Sequence, residues 1–371
     1  MEHEFTPQIF QILQEFFGDD GIAIFERSPL LQYLNIKTRS ASRGSKSRGS
    51  FANVYALYVL IEDYLKNNFD SQGNYAEYDG ARFTDLLARQ RELPFGNKLQ
   101  NHALNSRLNE EFKKYFSQVE FSPILRNAQT NRYWINENLL KISDSRKTFN
   151  IASAAIAIID RYVETKQSAF RNFIDTCKRL QAIADENDRA VSAFIENLLA
   201  PNSDARIFEI VSYAILRYHY YDQVVYFGVD LDNIHEESLV LYKTGRTNAN
   251  DGGIDFVMRP LGRFFQVTET VDVKKYFLDI DKIERFPITF VIKSDEGVDT
   301  LLSRLRNGAT RQYGVKAIVD KYMQCIEEVI NTPILLERFQ DAKSQGYLRN
   351  ILDEIIAQSK VEFNFDDLVS E

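Results

Sequence analysis

Apolar positions recur at helical spacing near both ends of the chain and alternate in short strand-like runs between residues 223 and 292. Residues 8–17 carry a helical apolar period that Gly18-Asp19-Asp20-Gly21 interrupts, so residues 1–35 read as helix, turn, helix. Residues 51–67 form a strongly apolar helix through Val54, Leu57, Tyr58, Leu60, Ile61 and Leu65. A second helix over 81–91 turns Phe83, Leu86 and Leu87 to one face. After the turn Leu93-Pro94-Phe95-Gly96, a third over 97–116 turns Leu99, Ala103, Leu104, Leu108 and Phe112 inward. Short apolar runs at 123–126 and 132–135 flank the polar stretch 127–131, the pattern of a hairpin. Residues 150–200 are nearly all helical, in three pieces at 151–166, 168–186 and 189–199. Pro201-Asn202-Ser203-Asp204 ends them, with Ser203 or Asp204 available to cap a helix over 205–221. Strands are predicted at 223–227, 239–243, 253–258, 263–268 and 288–292, with a helix over 272–285 between the last two and helix again from Leu301.

Helix, strands, then helix and strand is the order of an α/β (α+β) core. Three helices followed by a hairpin is the order of a winged helix-turn-helix, in which the third helix enters the major groove and the wing touches the backbone. The division expected is a winged-helix-like domain at 1–148, a helical connector at 149–200 and an α/β domain at 201–371.

Composition narrows the class. A chain of 371 residues, 44% hydrophobic and 26% charged, is globular and long enough for two domains. No apolar run reaches the ~18 residues of a membrane span, and the start MEHEFTPQIF lacks a basic leader, so no membrane partner and a cytoplasmic location are expected. Cys177 and Cys325 fit neither a zinc spacing nor a disulfide framework and read as packing residues. The net charge of −8 excludes a protein that coats DNA through its overall charge, but not one that keeps cations in patches. One such patch is residues 37–50, where Lys37, Arg39, Arg43, Lys46 and Arg48 stand among Ser and Gly with no anion. It reads as an exposed arm for phosphates. The outer face of the third helix adds Lys98, Asn101, Asn105 and Arg107, and the hairpin adds Arg132. Asn and Arg can bond bidentately to base edges.

Chemistry concentrates in Gly245-Arg246-Thr247-Asn248-Ala249-Asn250-Asp251-Gly252-Gly253-Ile254-Asp255 and the run Arg263-Phe264-Phe265-Gln266-Val267-Thr268-Glu269. Two glycines precede an Asp at the start of one apolar strand, and a Pro-Leu-Gly turn leads to a second strand carrying Gln266. Gly252 and Gly253 allow a tight turn and close approach of a bulky ligand, and Arg246 is a candidate phosphate contact. On these residues, with Glu209 on the preceding helix, the stretch from about 200 to 295 resembles the PD-(D/E)XK nuclease superfamily, which includes most type II restriction endonucleases. The resemblance implies a restriction-endonuclease-like core behind the winged-helix-like domain. It also implies Mg²⁺ held by Asp255, Gln266 and Glu209, and hydrolysis of DNA to 5′-phosphate and 3′-hydroxyl ends. The chain departs from the family where a Lys is expected two residues after the second ligand and Thr268 stands instead. Lys274 or Lys275 could reach back from the next helix, the option preferred here; Lys243 could reach across from the preceding strand; or Glu269 could recruit a second metal.

The reading is a site-specific, Mg²⁺-dependent endonuclease of double-stranded DNA acting as a homodimer, since palindromic sites mirror two-fold symmetry. The alternative is a sequence-specific DNA-binding regulator on an inactive nuclease fold. His3, His102, His219 and His235 have no metal-ligand spacing. With no nucleophile elbow, Walker loop or dinucleotide glycines in the sequence, no nucleotide cofactor is expected.

Overall fold

Short capped helices account for the start of the chain. The computed structural model describes residues 2–39, 47–71, 73–97, 99–143, 147–184, 186–244, 254–269, 272–283 and 285–363. They fold as a mixed α/β protein in two units, Met1–Phe173 and Ile174–Glu371. Among them no helix is long and apolar enough to cross a membrane.

The first unit opens with α1 (Thr6–Phe17), α2 (Gly21–Arg27) and α3 (Pro29–Thr38). Two helices were expected here; Ser28 makes a third by accepting the Leu31 N–H at 3.2 Å, with Pro29 preset for the first turn. Helix α4 (Ser47–Lys66) starts earlier than predicted, so the basic stretch is flanked closely by helix on both sides. The short strand β1 (Ala81–Arg82) leads into α5 (Phe83–Glu92). The third helix, expected from residue 97, begins at 102, because backbone bonds from Gly96 to Leu93 (2.8 Å) and from Leu99 to Gly96 (2.8 Å) hold the chain in a turn. It passes through a π-turn, Ala103–Arg107, into α6 (Leu108–Tyr115). Strands β2 (Ile124–Asn127) and β3 (Arg132–Ile135) form the predicted hairpin, and β1 adds to it in the antiparallel order β1-β3-β2. A second hairpin, β4 (Lys141–Ser143) with β5 (Thr148–Asn150), was not anticipated. The core buries Tyr33, Tyr55 and Tyr64 completely, and each hydroxyl finds a partner as burial requires: Tyr55 donates to the Pro94 carbonyl at 2.5 Å, Tyr64 to the Phe69 carbonyl at 2.9 Å, and Tyr33 accepts from Asn53 at 2.9 Å.

Helix α7 (Ala152–Ala182) is continuous where two helices were predicted, since no Gly or Pro interrupts it. Ile151, Ala155, Ile158 and Tyr162 belong to the first unit's core, so the boundary falls within α7 rather than at residues 148 and 200.

In the second unit α8 (Asp188–Leu198) precedes α9 (Ala205–His219), whose N-terminus Asp204 caps through Arg206 N (2.6 Å) and Ile207 N (3.2 Å). Every residue from Phe208 to Leu216 is buried, so α9 is covered on all sides. Strands β6 (Val224–Gly228) and β7 (Ile234–Ser238) pair only with each other among the described strands. Then come β8 (Val240–Lys243), β9 (Phe256–Arg259) and β10 (Arg263–Thr268), an antiparallel meander. Helix α10 (Val273–Lys282) crosses to β11 (Ile288–Ile292), and α11 (Val298–Tyr313) with α12 (Lys316–Gln324) crosses to β12 (Ile326–Ile330). The sheet order is β12-β11-β10-β9-β8, with the last two crossovers joining parallel strands, as parallel pairing requires. Strand β11 is buried along its whole length. Helices α13 (Thr332–Ser344) and α14 (Leu348–Phe363) close the unit against α9. Strands β7 and β12 went unpredicted; each carries two adjacent glutamates that blur the apolar alternation, and each lies at a sheet edge, where charge is tolerated.

Candidate active site

The main chain holds Asp255 in the sheet from both sides. Its N–H donates to the Phe265 carbonyl at 3.1 Å, and its carbonyl accepts the Thr244 N–H at 3.0 Å. This places its side chain beside the end of β10. There the Val267 N–H donates to Oδ2 at 2.7 Å and Gln266 Nε2 donates to the same oxygen at 2.8 Å. Gln266 is 6% exposed, and its Oε1 is buried with no hydrogen-bond partner. A buried carbonyl oxygen left so is costly, which marks it as a place where a ligand would be welcome.

Helix α9 brings Glu209 to the same place, buried at 8% exposure. Lys243, the last residue of β8, approaches its Oε1 at 3.2 Å. Arg206, one turn earlier on α9, takes Oε2, while Arg206 Nε lies 3.2 Å from Glu362 Oε1 near the end of α14. Helix α9, strands β8 and β10 and the residue leading into β9 thus gather two carboxylates, an amide and two cations, with the Glu362 carboxylate of α14 behind.

Their charges act on one another. Burial, and then the negative charge of Glu209, push the Asp255 carboxyl up to about 7; the Val267 N–H, Arg206 and Lys275 oppose this. Burial holds the Lys243 ammonium below the ordinary lysine range, against the pull of Glu209 and Asp255. Burial is the first cause of both shifts, and each group feels the charge of the other's neighbourhood.

The other predicted residues fall in varied places. Thr268 is buried beside Gln266 on the same strand. Lys274 and Lys275 lie exposed in the first turn of α10; the charge of Lys275 reaches Asp255, and the Lys274 N–H is taken by the cap Asp272 at 3.0 Å. Glu269 is exposed and pairs with Lys293 at 3.1 Å, pointing its charge to a different partner. The cations in contact with Glu209 are Lys243 and Arg206, while the preferred α10 lysines are exposed. Arg206 escaped notice, although its spacing of three from Glu209 puts both on one helix face, a signal the sequence carries. Glu362 had no such signal, because only the fold brings α14 to α9.

In the first unit Asn101 and Arg107 are exposed as expected, and Arg39 is exposed at the end of α3. Asn105 is half-buried, and its Oδ1 accepts from the Tyr133 hydroxyl at 3.3 Å. Arg132 donates to the Gly80 carbonyl at 2.5 Å, which ties β3 to the loop before β1. Lys37 pairs with Glu111 at 2.7 Å and is thereby part of the fold's interior lattice rather than a free cation. Arg43, Lys46, Lys98, Arg246, Gly252 and Gly253 lie outside the described residues, as does the Arg48 side chain.

Among the described residues no group of three or more His, Cys, Asp and Glu side chains could hold a metal ion. The Asp255 site has two carboxylates of that set, and its third oxygen is an amide. No protein-family model, curated protein or solved structure matches the chain.

Proposed function

We propose that the protein is a Mg²⁺-dependent, site-specific DNA endonuclease of the PD-(D/E)XK kind, with a restriction-endonuclease-like core in the second unit and a winged-helix-like reader in the first. The observation that carries this reading is the convergence of Asp255, Gln266, Glu209 and Lys243 from α9, β8, β10 and the residue leading into β9 into one buried cluster. Buried carboxylates are expensive to keep without a task.

The donor set suits the metal. Mg²⁺ takes hard oxygens, binds through one or two carboxylates and keeps several waters. Asp255 and Glu209 supply carboxylates, and the unpartnered Gln266 Oε1 supplies a third oxygen. When bound, the ion would polarise a phosphodiester and acidify an attacking water.

The chain's own residues do the rest. The Val267 N–H and Gln266 amide fix the orientation of the Asp255 carboxyl. Asp255 must lose its proton to act as a ligand, so its raised affinity for that proton makes the site responsive to pH around neutrality. Arg206 and Lys243 hold the negative charge of Glu209 in check while no substrate is present. Lys243, the cation paired with Glu209, would serve in place of the missing Lys and could steady a phosphoryl oxygen.

The reader is supported by the order of three helices and a hairpin, and by the free hairpin tip. Residues 127–131 are exposed, and Asn127 Oδ1 shapes them by accepting from Gln129 N (3.0 Å) and Thr130 N (3.3 Å). An exposed turn of this kind can follow a phosphate backbone.

The test is incubation of the purified protein with unmethylated phage and plasmid DNA, in Mg²⁺ and in EDTA. Discrete bands in Mg²⁺ alone are expected. Thr268 at the Lys position, and a Glu209 whose two oxygens are both paired, favour the second reading, a sequence-specific DNA-binding regulator on an inactive nuclease fold. A gel shift in EDTA with no cleavage in Mg²⁺ would decide for it.

A further inference from the structure

Helix α11 buries one face and leaves the other bare. Leu301, Leu305 and Ala309 pack inward at a period of four, while Ser303, Arg304, Arg306, Asn307, Thr310 and Arg311 are exposed on the opposite side. After Asp299 in its first turn the helix carries no acid, and α12, reached through Gly314, adds Lys316 and Lys321. From Val298 to Gln324 the chain thus has five cations against Asp299 and Asp320, a net charge of +3. The rest of a chain that is −8 overall therefore carries −11, and α13 with α14 comes to −1. A protein with this balance can meet a polyanion only where its cations are gathered.

The ion pairs leave part of this surface open. Arg304 pairs with Glu296 and Arg306 with Asp320. Asp320 stands four residues after Lys316, in place to neutralise it, and is already taken. Asp281 on α10 accepts from the Tyr322 hydroxyl at 2.6 Å and lies 3.7 Å from Arg285 Nε. Arg311, Lys316 and Lys321 are exposed and have no acidic partner among the described residues. The turn that carries them is fixed. The Tyr313 ring stacks on Phe277 of α10 at 5.1 Å with the planes 12° apart, and Phe277 stacks on Tyr322 of α12 at 4.2 Å. A surface ordered in advance binds at less entropic cost.

The topology separates this surface from the acids. Helix α11 leaves from the end of β11, where Val291 pairs with Val267 beside Asp255, and α12 leads back to the start of β12. From Val298 to Arg311 the helix rises about 20 Å, which is about six steps of a duplex at ~3.4 Å each. Unpaired cations with Asn307 and the Ser303 and Thr310 hydroxyls beside them are the groups that meet a phosphate backbone.

We propose that the joined surface of α11 and α12 holds the phosphate backbone of duplex DNA flanking the point of cleavage, a role that takes its ligand from the proposed function and uses neither the Asp255 cluster nor the first unit.

Binding of the full chain to a duplex of several helical turns, measured in EDTA across a salt series, reads this surface without cleavage. Arg311→Ser, Lys316→Ser and Lys321→Ser combined should weaken binding at least ~10-fold and lower the salt slope by roughly 2–3, near 0.9 for each lost phosphate contact. The loss should be the same for every sequence tested, as expected of backbone contacts, with an unchanged circular dichroism spectrum. Asn307→Cys carrying a photoactivatable aryl azide should attach to the duplex, and Gln345→Cys at the end of α13 should not. The native thiols Cys177 and Cys325 are buried and add little background. A lowered slope in a chain that never cuts would support this surface and count against the nuclease. DNA binding with an unchanged slope in the triple variant would overturn this inference and leave the proposed function standing. A wild-type chain that binds no DNA would overturn both. Binding to vesicles of equimolar phosphatidylserine and phosphatidylcholine that the triple variant loses, with DNA binding unaltered, would assign the surface to a membrane instead.

Discussion

In the first unit the buried polar side chains are neutral: Thr6, Ser28, Asn35, Thr38, Asn53, Gln90 and Asn136. Several do structural work, as Gln90 does in donating to the Ala52 carbonyl at 2.9 Å and Ser28 in capping α3. In the second unit Glu209, Asp279 and Glu362 are buried as acids, with Asp255 close behind. A neutral group can be satisfied by one or two hydrogen bonds, whereas an acid must also find positive charge or keep its proton. Among the described residues the first unit therefore buries only neutral polar side chains, with the Lys37–Glu111 pair half-buried. The second unit holds acidic groups inside.

The sharpest way to break this contrast is at Asp255. Asp255→Asn should lower Mg²⁺-dependent cleavage by at least ~10³-fold, about 4 kcal/mol of barrier, while DNA binding in EDTA persists. Cutting that survives would move the site elsewhere. The same variant tests the electrostatics without a substrate. The folded Asp255 titrates at about 7 against an ordinary 3.8, so the native state holds that proton more tightly than the unfolded chain. Its contribution to stability is complete below the ordinary value and is lost as pH rises through about 7. In denaturant melts at pH 8 the Asn variant should gain on the order of 4 kcal/mol over the wild type, and the two should converge near pH 4. Mg²⁺ should stabilise the wild type and leave the variant unmoved.

Lys243→Met should cost about 10²-fold in cleavage rate, the range of a lost charge-stabilising donor, and Lys274→Met and Lys275→Met only a few-fold. If the order were reversed, the missing Lys would be replaced from α10 rather than from β8. At the reading surface the effects are smaller. Asn101→Ala and Arg107→Ala should each relax preference at one base pair by ~1–2 kcal/mol in competition binding. Asn105→Ala and Arg132→Ala should instead lower thermal stability by ~1 kcal/mol each, the worth of an internal hydrogen bond. Equal losses of specificity from all four would mean that the contacts to Tyr133 and Gly80 give way on DNA.

Much of this was legible in the residue pattern because local rules govern it. Apolar period, turn residues and caps located most of the helices, the β2–β3 hairpin and five strands of the second unit, as at Asp204, where one side chain closes two N–H groups of α9. Asp255 and Gln266 were legible as neighbours because a short turn between two strands leaves little freedom in how they pair. The edge strand β12 and the length of α7 were not, since a strand with two glutamates and a helix without a breaker both read ambiguously until neighbours are known.

The sequence by itself determined the mixed α/β fold class, the elements around the acidic motif and the residue types on offer. Only the tertiary structure decided which cations meet Glu209, that Asn105 and Arg132 are held from within, and that Asp320 pairs with Arg306 rather than Lys316. Those outcomes depend on which distant elements come to lie side by side. Burial and charge then shift each group according to neighbours that local spacing does not specify.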